Sequence, residues 1–236
     1  MTTTHTLSDV AAISLAAVRT LEQHGLDYCC GGKQNFGEAC AAKGLNPDSV
    51  MQEIEQAKAG SAEERDWHTA PLGELAQHIV ATHHAYLKRE LPVLSARMDK
   101  VQEVHGPSDA ETLARMGGVF AALREEMELH MHKEEAILFP FIERYGVAEA
   151  KGIPMPPVPF GTIANPIAMM EREHKSAGGA LLEIRALTHD YLLPPYACST
   201  VAALYAGLQI LEADLHVHIH LENNILFPRA IALEKR

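Results

Sequence analysis

The sequence is poor in cysteine and has no long apolar run. Four cysteines in a chain of 236 residues do not make a disulfide framework, which favours reduced thiols in a cytoplasmic protein. No apolar segment approaches the ~20 residues of a membrane-spanning helix. No basic and then apolar leader begins the chain, so we expect an unexported protein that does not enter a membrane.

Basic residues are also scarce. Lysine and arginine total 20 against 31 aspartates and glutamates, which gives a formal net charge of −11 and a pI near 5.7. Nucleic acids and anionic membrane surfaces attract basic proteins. The acidic excess therefore argues against both as partners.

The apolar content, 47% of residues, is that of a folded protein. A chain of this length can bury the core of one medium domain and one small domain. A polar segment at 60–65 precedes Trp67, and we place the domain boundary near residue 62. The predicted units are a small helical domain over 1–62 and a larger helical domain over 63–236.

The small domain is predicted to contain short helices around a turn. Residues 7–9 can cap a helix that continues through Ile13 and Leu21. Two further helices are predicted over 35–43 and 48–59, and the second of these is preceded by a proline suited to a first helical turn.

Two adjacent cysteines, Cys29 and Cys30, precede two glycines between these helices. Adjacent glycines permit positive φ angles and a close approach of the backbone. One interpretation is a tight turn with two small buried side chains. The other is a thiol pair that binds iron or nitric oxide, or exchanges electrons. The local sequence favours neither, and we interpret Cys40 and Cys198 as structural.

The larger unit contains an internal repeat. The segments HMHKEEAILFP (130–140) and HIHLENNILFP (218–228) align without a gap. The shared positions are His130/His218, His132/His220, Glu134/Glu222, Ile137/Ile225, Leu138/Leu226, Phe139/Phe227 and Pro140/Pro228.

Each copy lies on a helical stripe that changes from apolar to polar. Steps of four and three residues place His130 and Glu134 on one stripe, and His218 and Glu222 on the other. A buried polar pair must be satisfied locally, and the recurrence of His-x3-Glu favours metal binding over a hydrogen-bonded core histidine. The apolar members predicted for the stripes are Met116, Phe120, Leu123, Met127, Ile137 and Phe141, then Leu204, Leu208, Leu211, Leu215 and Ile225.

An upstream helix in each half supplies one more histidine, His84 or His174. The nearly equal intervals to the chelating pairs indicate two helical hairpins; periodicity allows His83 as well, and the interval favours His84. Four imidazoles and two carboxylates suffice for two metal ions if both glutamates bridge. Such ligands without thiolate favour iron or manganese. The predicted ligands are His84, His130, Glu134, His174, His218 and Glu222.

Three acidic residues and two further histidines lie close in sequence to the predicted ligands. Glu126 and Asp214 lie four residues before the chelating histidines, and Glu173 immediately precedes the histidine of the third helix. These three are candidates to accept hydrogen bonds from ligand imidazoles or to relay protons, and the alternative is an exposed acidic flank. His132 and His220 have no chelating partner four residues later, so we predict that they lie off the stripes.

An all-α bundle is predicted, with helices over 71–100, 109–145, 165–190 and 197–233. Gly-Pro at 106–107 and Leu-Pro-Pro at 193–195 separate the two members of each hairpin. The segment 146–166 is too rich in proline to be helical and is predicted to be a long crossover between the hairpins.

The motifs DYCCGGK, HMHKEEAILFP, EREH and HIHLENNILFP, in this order, resemble the Repair of Iron Centers family over nearly the whole chain. The resemblance implies a hemerythrin-like antiparallel four-helix bundle preceded by a small helical domain that carries the cysteines. It implies a non-haem di-iron centre with an oxo or hydroxo bridge, held by the six predicted ligands and bridged by Glu134 and Glu222. It also implies a cytoplasmic homodimer that restores iron–sulfur clusters damaged by nitrosative or oxidative stress.

One position departs from the pattern of oxygen-carrying hemerythrins. Those proteins have a second ligand histidine four residues after that of the third helix, where this chain has Gly178. One imidazole fewer leaves room for solvent or an exogenous ligand, which fits a labile or reactive centre. Three functions stay open: an iron donor to proteins with damaged clusters, which we favour, an enzyme that reduces nitric oxide, and a sensor of nitric oxide or oxygen.

Overall fold

The computed structural model describes residues 5–29, 31–59 and 65–235. Within these ranges the regular structure is helical, apart from one isolated bridge between Thr6 and Asn35. The all-α prediction is confirmed. The predicted boundary near residue 62 lies outside the described residues. We find no helix in the described ranges whose length and hydropathy would let it cross a bilayer.

Short helices form the small domain, and one predicted helix is in fact two. Thr6 caps the first, since its Oγ1 accepts from the Asp9 N–H, and Ser14 caps the second by accepting from Ala17 at 3.1 Å. Ile13 lies between the two caps and is 40% exposed, so the prediction of one continuous helix is wrong. The four helices are α1 (Leu7–Ala11), α2 (Leu15–Gln23), α3 (Phe36–Ala42) and α4 (Pro47–Ala59).

Long helices form the larger unit, and three of them contain a wider π-helical turn. They are α5 (72–105, with the π turn Val80–His84), α6 (110–151, with Glu134–Leu138), α7 (Ala164–Leu187) and α8 (199–234, with Leu221–Leu226). Helix α6 continues six residues beyond its predicted end and stops at Gly152, where φ is +62°. The proline-rich crossover follows, but it is shorter than the predicted 146–166, because residues 146–151 and 164–166 are helical.

The helices run antiparallel, as the order of their core residues shows. A first apolar cluster contains Leu75, Ile142, Ile167 and Leu226, and a second contains Leu91, Phe120, Leu181 and Leu208. Along the chain, helices α5 and α7 contribute residues first to the first cluster and then to the second. Helices α6 and α8 contribute to them in the opposite order. A polar layer lies between the clusters on all four helices.

The π turns change the register of the stripes. In α6 the predicted core residue Ile137 is 47% exposed, and Leu138 is buried instead. Phe141 is likewise only half-buried, whereas Ile142 is buried. These two predictions are wrong because a π turn adds a residue to the turn and rotates the rest of the helix about its axis. The other apolar members of both stripes are buried, as predicted.

Proline follows each of the two π turns that belong to the repeat. Pro140 and Pro228 lie in the first turn of the α-helical segments that begin at Phe139 and Phe227. Proline has no N–H and would break the hydrogen-bond ladder of a regular helix. The wide turn is therefore placed where the sequence already interrupts that ladder.

The small domain packs against α8. Ile219 belongs to the small domain's apolar cluster, together with Val10, Leu21 and Tyr28. Next to it, Asn224 Nδ2 donates to the Tyr28 carbonyl at 3.0 Å. The second copy of the repeat thus carries a docking surface in addition to its chelating pair.

Truncation of Leu208 tests the second apolar cluster. Leu208 is 1% exposed, and a cavity at such a position costs about 2–5 kcal/mol of unfolding free energy. Leu182→Ala is the control, because Leu182 is 66% exposed and its loss should cost less than about 0.5 kcal/mol. Chemical denaturation of the metal-free protein measures both. Equal effects would contradict the assigned core.

Candidate metal centre

The polar layer between the two apolar clusters consists of the predicted ligands. All six side chains are buried, with at most 1% of their surface exposed. They come from all four helices: His84 from α5, His130 and Glu134 from α6, His174 from α7, and His218 and Glu222 from α8. The structure therefore brings the complete predicted set into one place.

The imidazoles form two pairs, and each pair takes one histidine from each hairpin. His84 Nε2 lies 3.2 Å from His218 Nε2, and His174 Nε2 lies 3.0 Å from His130 Nε2. Helices α5 and α8 thus face each other across one half of the layer, and α6 and α7 across the other half. A metal ion at either pair would join the two hairpins.

Each glutamate contacts one imidazole of each pair. Glu134 Oε2 lies 3.3 Å from His84 Nε2 and 3.3 Å from His130 Nε2. Glu222 reaches His174 Nε2 at 3.0 Å with Oε2 and His218 Nε2 at 2.9 Å with Oε1. Two groups of four possible ligands result, and both glutamates belong to both groups. This arrangement is the one that two bridging carboxylates require.

The ionisation of the layer suits a cation. Burial and Glu222 raise the pKa of Glu134, but His130 and His84 lower it by more, and the net shift is downward. The pKa of Glu222 lies well below its ordinary value, because His218 and its neighbours overcome the effect of burial. Both carboxylates are therefore charged in an apolar bundle, where unpaired charge is costly.

Several buried oxygens of the layer have no hydrogen-bond partner. Among the described residues, both oxygens of Glu134 and Oε2 of Glu222 are buried and accept no hydrogen bond, although Oε2 of each lies close to ligand imidazoles. Buried polar atoms nearly always have a hydrogen-bond partner, so these oxygens indicate a place where an ion or a water molecule binds. Imidazole nitrogen and carboxylate oxygen, without thiolate, suit iron or manganese. The residues present therefore fit a dinuclear centre.

Three of the imidazoles are oriented by a partner at the other ring nitrogen. His84 Nδ1 lies 2.8 Å from Glu135, and His130 Nδ1 lies 2.9 Å from Glu173. The third, His174 Nδ1, lies 2.8 Å from Asn223 Oδ1. A carboxylate or amide oxygen can only accept, so Nδ1 carries a proton and Nε2 is the ring nitrogen that faces the layer.

Comparison with known proteins agrees with this geometry. A family model described as "Hemerythrin HHE cation binding domain" matches residues 75–230, and the model of a domain of unknown function matches residues 3–58. Two curated relatives are called iron-sulfur cluster repair protein YtfE. The one from Citrobacter koseri is 38% identical and the one from Escherichia coli O81 is 39% identical, each over 230 residues and 97% of both chains.

The chain belongs to the Repair of Iron Centers family.

The three acidic residues that were candidates to orient ligand imidazoles have different positions. Glu173 contacts His130, a ligand imidazole, and also pairs with Lys133. Asp214 does not reach a ligand imidazole; its Oδ1 lies 2.9 Å from His83 Nδ1. Glu126 is half-buried, and the place beside His130 Nδ1 is taken by Glu173 instead.

Sequence reasoning missed Glu135 and Asn223, which orient His84 and His174. Both occupy the same position of the repeat, immediately after the glutamate of the chelating pair. That shared position was the available signal. It was overlooked because the two residue types differ and neither lies on the predicted stripe.

The neighbouring histidines lie outside the two groups of ligands. His83 stacks on His218, with ring centroids 5.6 Å apart, while His132 is exposed. His220 is buried, and its Nδ1 lies 2.8 Å from Asn224. Burial lowers the pKa of His220 to about 4, so this residue is a neutral part of the domain contact.

The cysteines of this family member fall into different environments. Cys29 is buried at the contact between the domains, and Cys30 lies outside the described residues. Cys40 is buried, as a structural cysteine should be. Cys198 is exposed at the start of α8, where its Sγ lies 3.2 Å from His105 Nε2.

Removal of either of the two carboxylates that belong to both groups should lower the metal content. We expect Glu134→Ala or Glu222→Ala to reduce bound iron toward one ion per chain or less, because each glutamate belongs to both groups of ligands. His132→Ala is the matched control, since His132 occupies the same helix and is exposed. Elemental analysis after anaerobic loading measures the content. Equal iron in all three variants would contradict the ligand assignment.

Alkylation of Cys198 should be fast at neutral pH. A hydrogen bond from the Val201 backbone and one from His105 lower the pKa of the thiol to about 6. Because the thiolate is the nucleophile, the rate should rise with pH to a midpoint near that value, and His105→Ala should move the midpoint upward. Mass spectrometry of the Cys198 peptide measures the rate, with buried Cys40 as the slow control. A midpoint near 9, the ordinary value, would contradict the contact.

Proposed function

We propose that the chain repairs iron–sulfur clusters damaged by nitrosative or oxidative stress, and that it does so by supplying iron from the centre in its bundle. The relatives' printed name, iron-sulfur cluster repair protein, supports the role in repair. The layer of four imidazoles and two carboxylates supports iron as the cargo. In this proposal the cargo is two iron ions joined by an oxo or hydroxo bridge, the protein is a cytoplasmic homodimer, and its partners are proteins with damaged clusters.

The observation that carries the proposal is the small number of ligands for each ion. Each group offers two imidazoles and two carboxylates, and both carboxylates are shared. Octahedral iron would keep positions that no protein group fills, which suits release better than permanent storage. Gly178, where oxygen-carrying hemerythrins have a further histidine, adds no ligand.

The route that we propose for the cargo passes the domain contact. A cavity of about 150 Å³ is lined by Cys29, Lys175 and Asn223, among others. Asn223 touches His174, so the cavity approaches the centre from the α7 side. Gly178 lies one turn further along the face of α7 that carries Lys175. We propose that iron leaves past Gly178 and by way of Cys29 and Cys30.

A second candidate function, the reduction of nitric oxide, is favoured by the two equivalent groups of ligands. Coupling two nitric oxide molecules to nitrous oxide and water consumes two electrons and two protons. Two ferrous ions side by side would supply the electrons. The chain's own part would be to hold both ions at one bridged site and to keep the surrounding layer free of bulk water, which its burial provides.

Transfer of labelled iron tests the donor function. The protein is loaded with 57Fe and mixed anaerobically with a protein whose [4Fe–4S] cluster has lost one iron. A chelator that captures dissolved ferrous iron is present. We expect the label to enter the restored cluster, as seen by Mössbauer spectroscopy, with His132→Ala as active as the native protein and Glu134→Ala impaired.

An unlabelled cluster would overturn the donor function. Nitric oxide is added in a parallel experiment with the reduced protein, and nitrous oxide and released iron are measured. Repeated turnover to nitrous oxide without iron transfer would favour the enzyme. A stable adduct with neither product would favour the sensor.

A further inference from the structure

The two copies of the repeat diverge immediately after the bridging glutamate. The first copy has Glu135 and the second has Asn223, and each orients the imidazole of the neighbouring helix. The other hydrogen-bonding partner of Glu135 belongs to the bundle: both of its oxygens accept from Lys88 Nζ at 2.7 Å. The other hydrogen-bonding partner of Asn223 belongs to the small domain: Asn223 Nδ2 donates to the Cys29 carbonyl at 3.4 Å.

These two contacts determine how the Asn223 amide is oriented. A backbone carbonyl only accepts, so the amide nitrogen must face Cys29 and the amide oxygen must face His174. The oxygen in turn fixes the proton of His174 on Nδ1 and leaves Nε2 available to the centre. A chain of hydrogen bonds therefore runs from the turn at Cys29, which we call the cysteine turn, through one amide to a ligand of the metal centre.

The chain of hydrogen bonds reaches only one half of the centre. His174 pairs with His130, whereas His84 and His218 form the other group. His84 is held by Glu135 and Lys88, which belong to the bundle. The cavity at the domain contact is lined by Cys29 and Asn223, the two residues that this link joins.

We propose that Asn223 is a positioning residue that couples the cysteine turn to the half of the metal centre formed by His130 and His174. When the turn is docked, the Cys29 carbonyl holds the amide and the amide holds His174 in its ligating tautomer. When the turn moves away, that restraint on His174 is lost, and the iron of this half is held less tightly. The inference rests on metal binding by the bundle, which the donor function also requires.

Two substitutions at Asn223 separate its two contacts. Asn223→Asp keeps an oxygen that accepts from His174 but removes the donor to the Cys29 carbonyl. Asn223→Ala removes both. Glu135→Gln is the matched control, because it changes the equivalent position of the other copy, whose partners His84 and Lys88 belong to the bundle.

The first measurement is the rate of iron loss to a ferrous chelator. We expect Asn223→Ala to release one of its two iron ions about 10-fold faster than the native protein, as loss of a partner to a ligand histidine usually does. Asn223→Asp should release iron at close to the native rate, because either oxygen of a carboxylate accepts from His174 and, unlike the amide, needs no Cys29 carbonyl to orient it. Unchanged release in Asn223→Ala would overturn the positioning role.

The second measurement is the alkylation rate of Cys29, followed by mass spectrometry in the metal-free and iron-loaded protein. We expect iron to slow alkylation severalfold in the native protein and in Glu135→Gln, since an ordered His174 keeps the turn docked. The difference should vanish in both Asn223→Asp and Asn223→Ala. An undiminished difference in these variants would overturn the coupling.

Neither measurement includes a damaged cluster or nitric oxide. The coupling can therefore fail while labelled iron still enters a cluster, and the donor function can fail while Cys29 still responds to iron. The experiments therefore test the coupling and the donor function independently.

Discussion

Burial of two charged carboxylates at the centre of an apolar bundle is the constraint on which the larger domain depends. Glu134 and Glu222 are fully buried, and apolar clusters lie on both sides of them. An isolated carboxylate at such a place would be strongly destabilising. Four imidazoles converge on the same layer, and the six side chains together fit two cations. Bound cations would offset the free-energy cost of burying the two carboxylates. The helices are held in the register that the layer requires.

The irregularities of the helices arise from the same constraint. Three of the four long helices widen into a π turn, and each of these turns contains or adjoins a ligand. Such turns are frequent at functional sites because they re-aim side chains within an otherwise continuous helix. In the two copies of the repeat, the sequence Leu-Phe-Pro lies just after the ligands, and its proline cannot be accommodated by an unbroken ladder of hydrogen bonds. The irregular turn is encoded together with the ligands.

Local and duplicated features were predictable from the sequence. The spacing of His130 and Glu134 is a property of one helix, and its recurrence at His218 and Glu222 identified the layer without knowledge of the fold. The pairing of imidazoles across hairpins was not predictable in this way, because it depends on which helices face each other. Ile137 was misplaced for a different reason: periodicity assumes a constant number of residues in each turn. Residues that orient the ligands were harder still to recognise, since Glu135 and Asn223 reach across to another helix and their role depends on interhelical distance and rotation.

The location of Ile219 has a consequence for how the protein unfolds. This residue of α8 is 1% exposed and belongs to the apolar cluster of the small domain, three residues before Glu222. Separation of the domains would uncover it and Tyr28 together. The small domain and the bundle should therefore unfold in a single cooperative transition. A bundle produced without the small domain would expose apolar surface at Ile219 on its last helix and would be prone to aggregate.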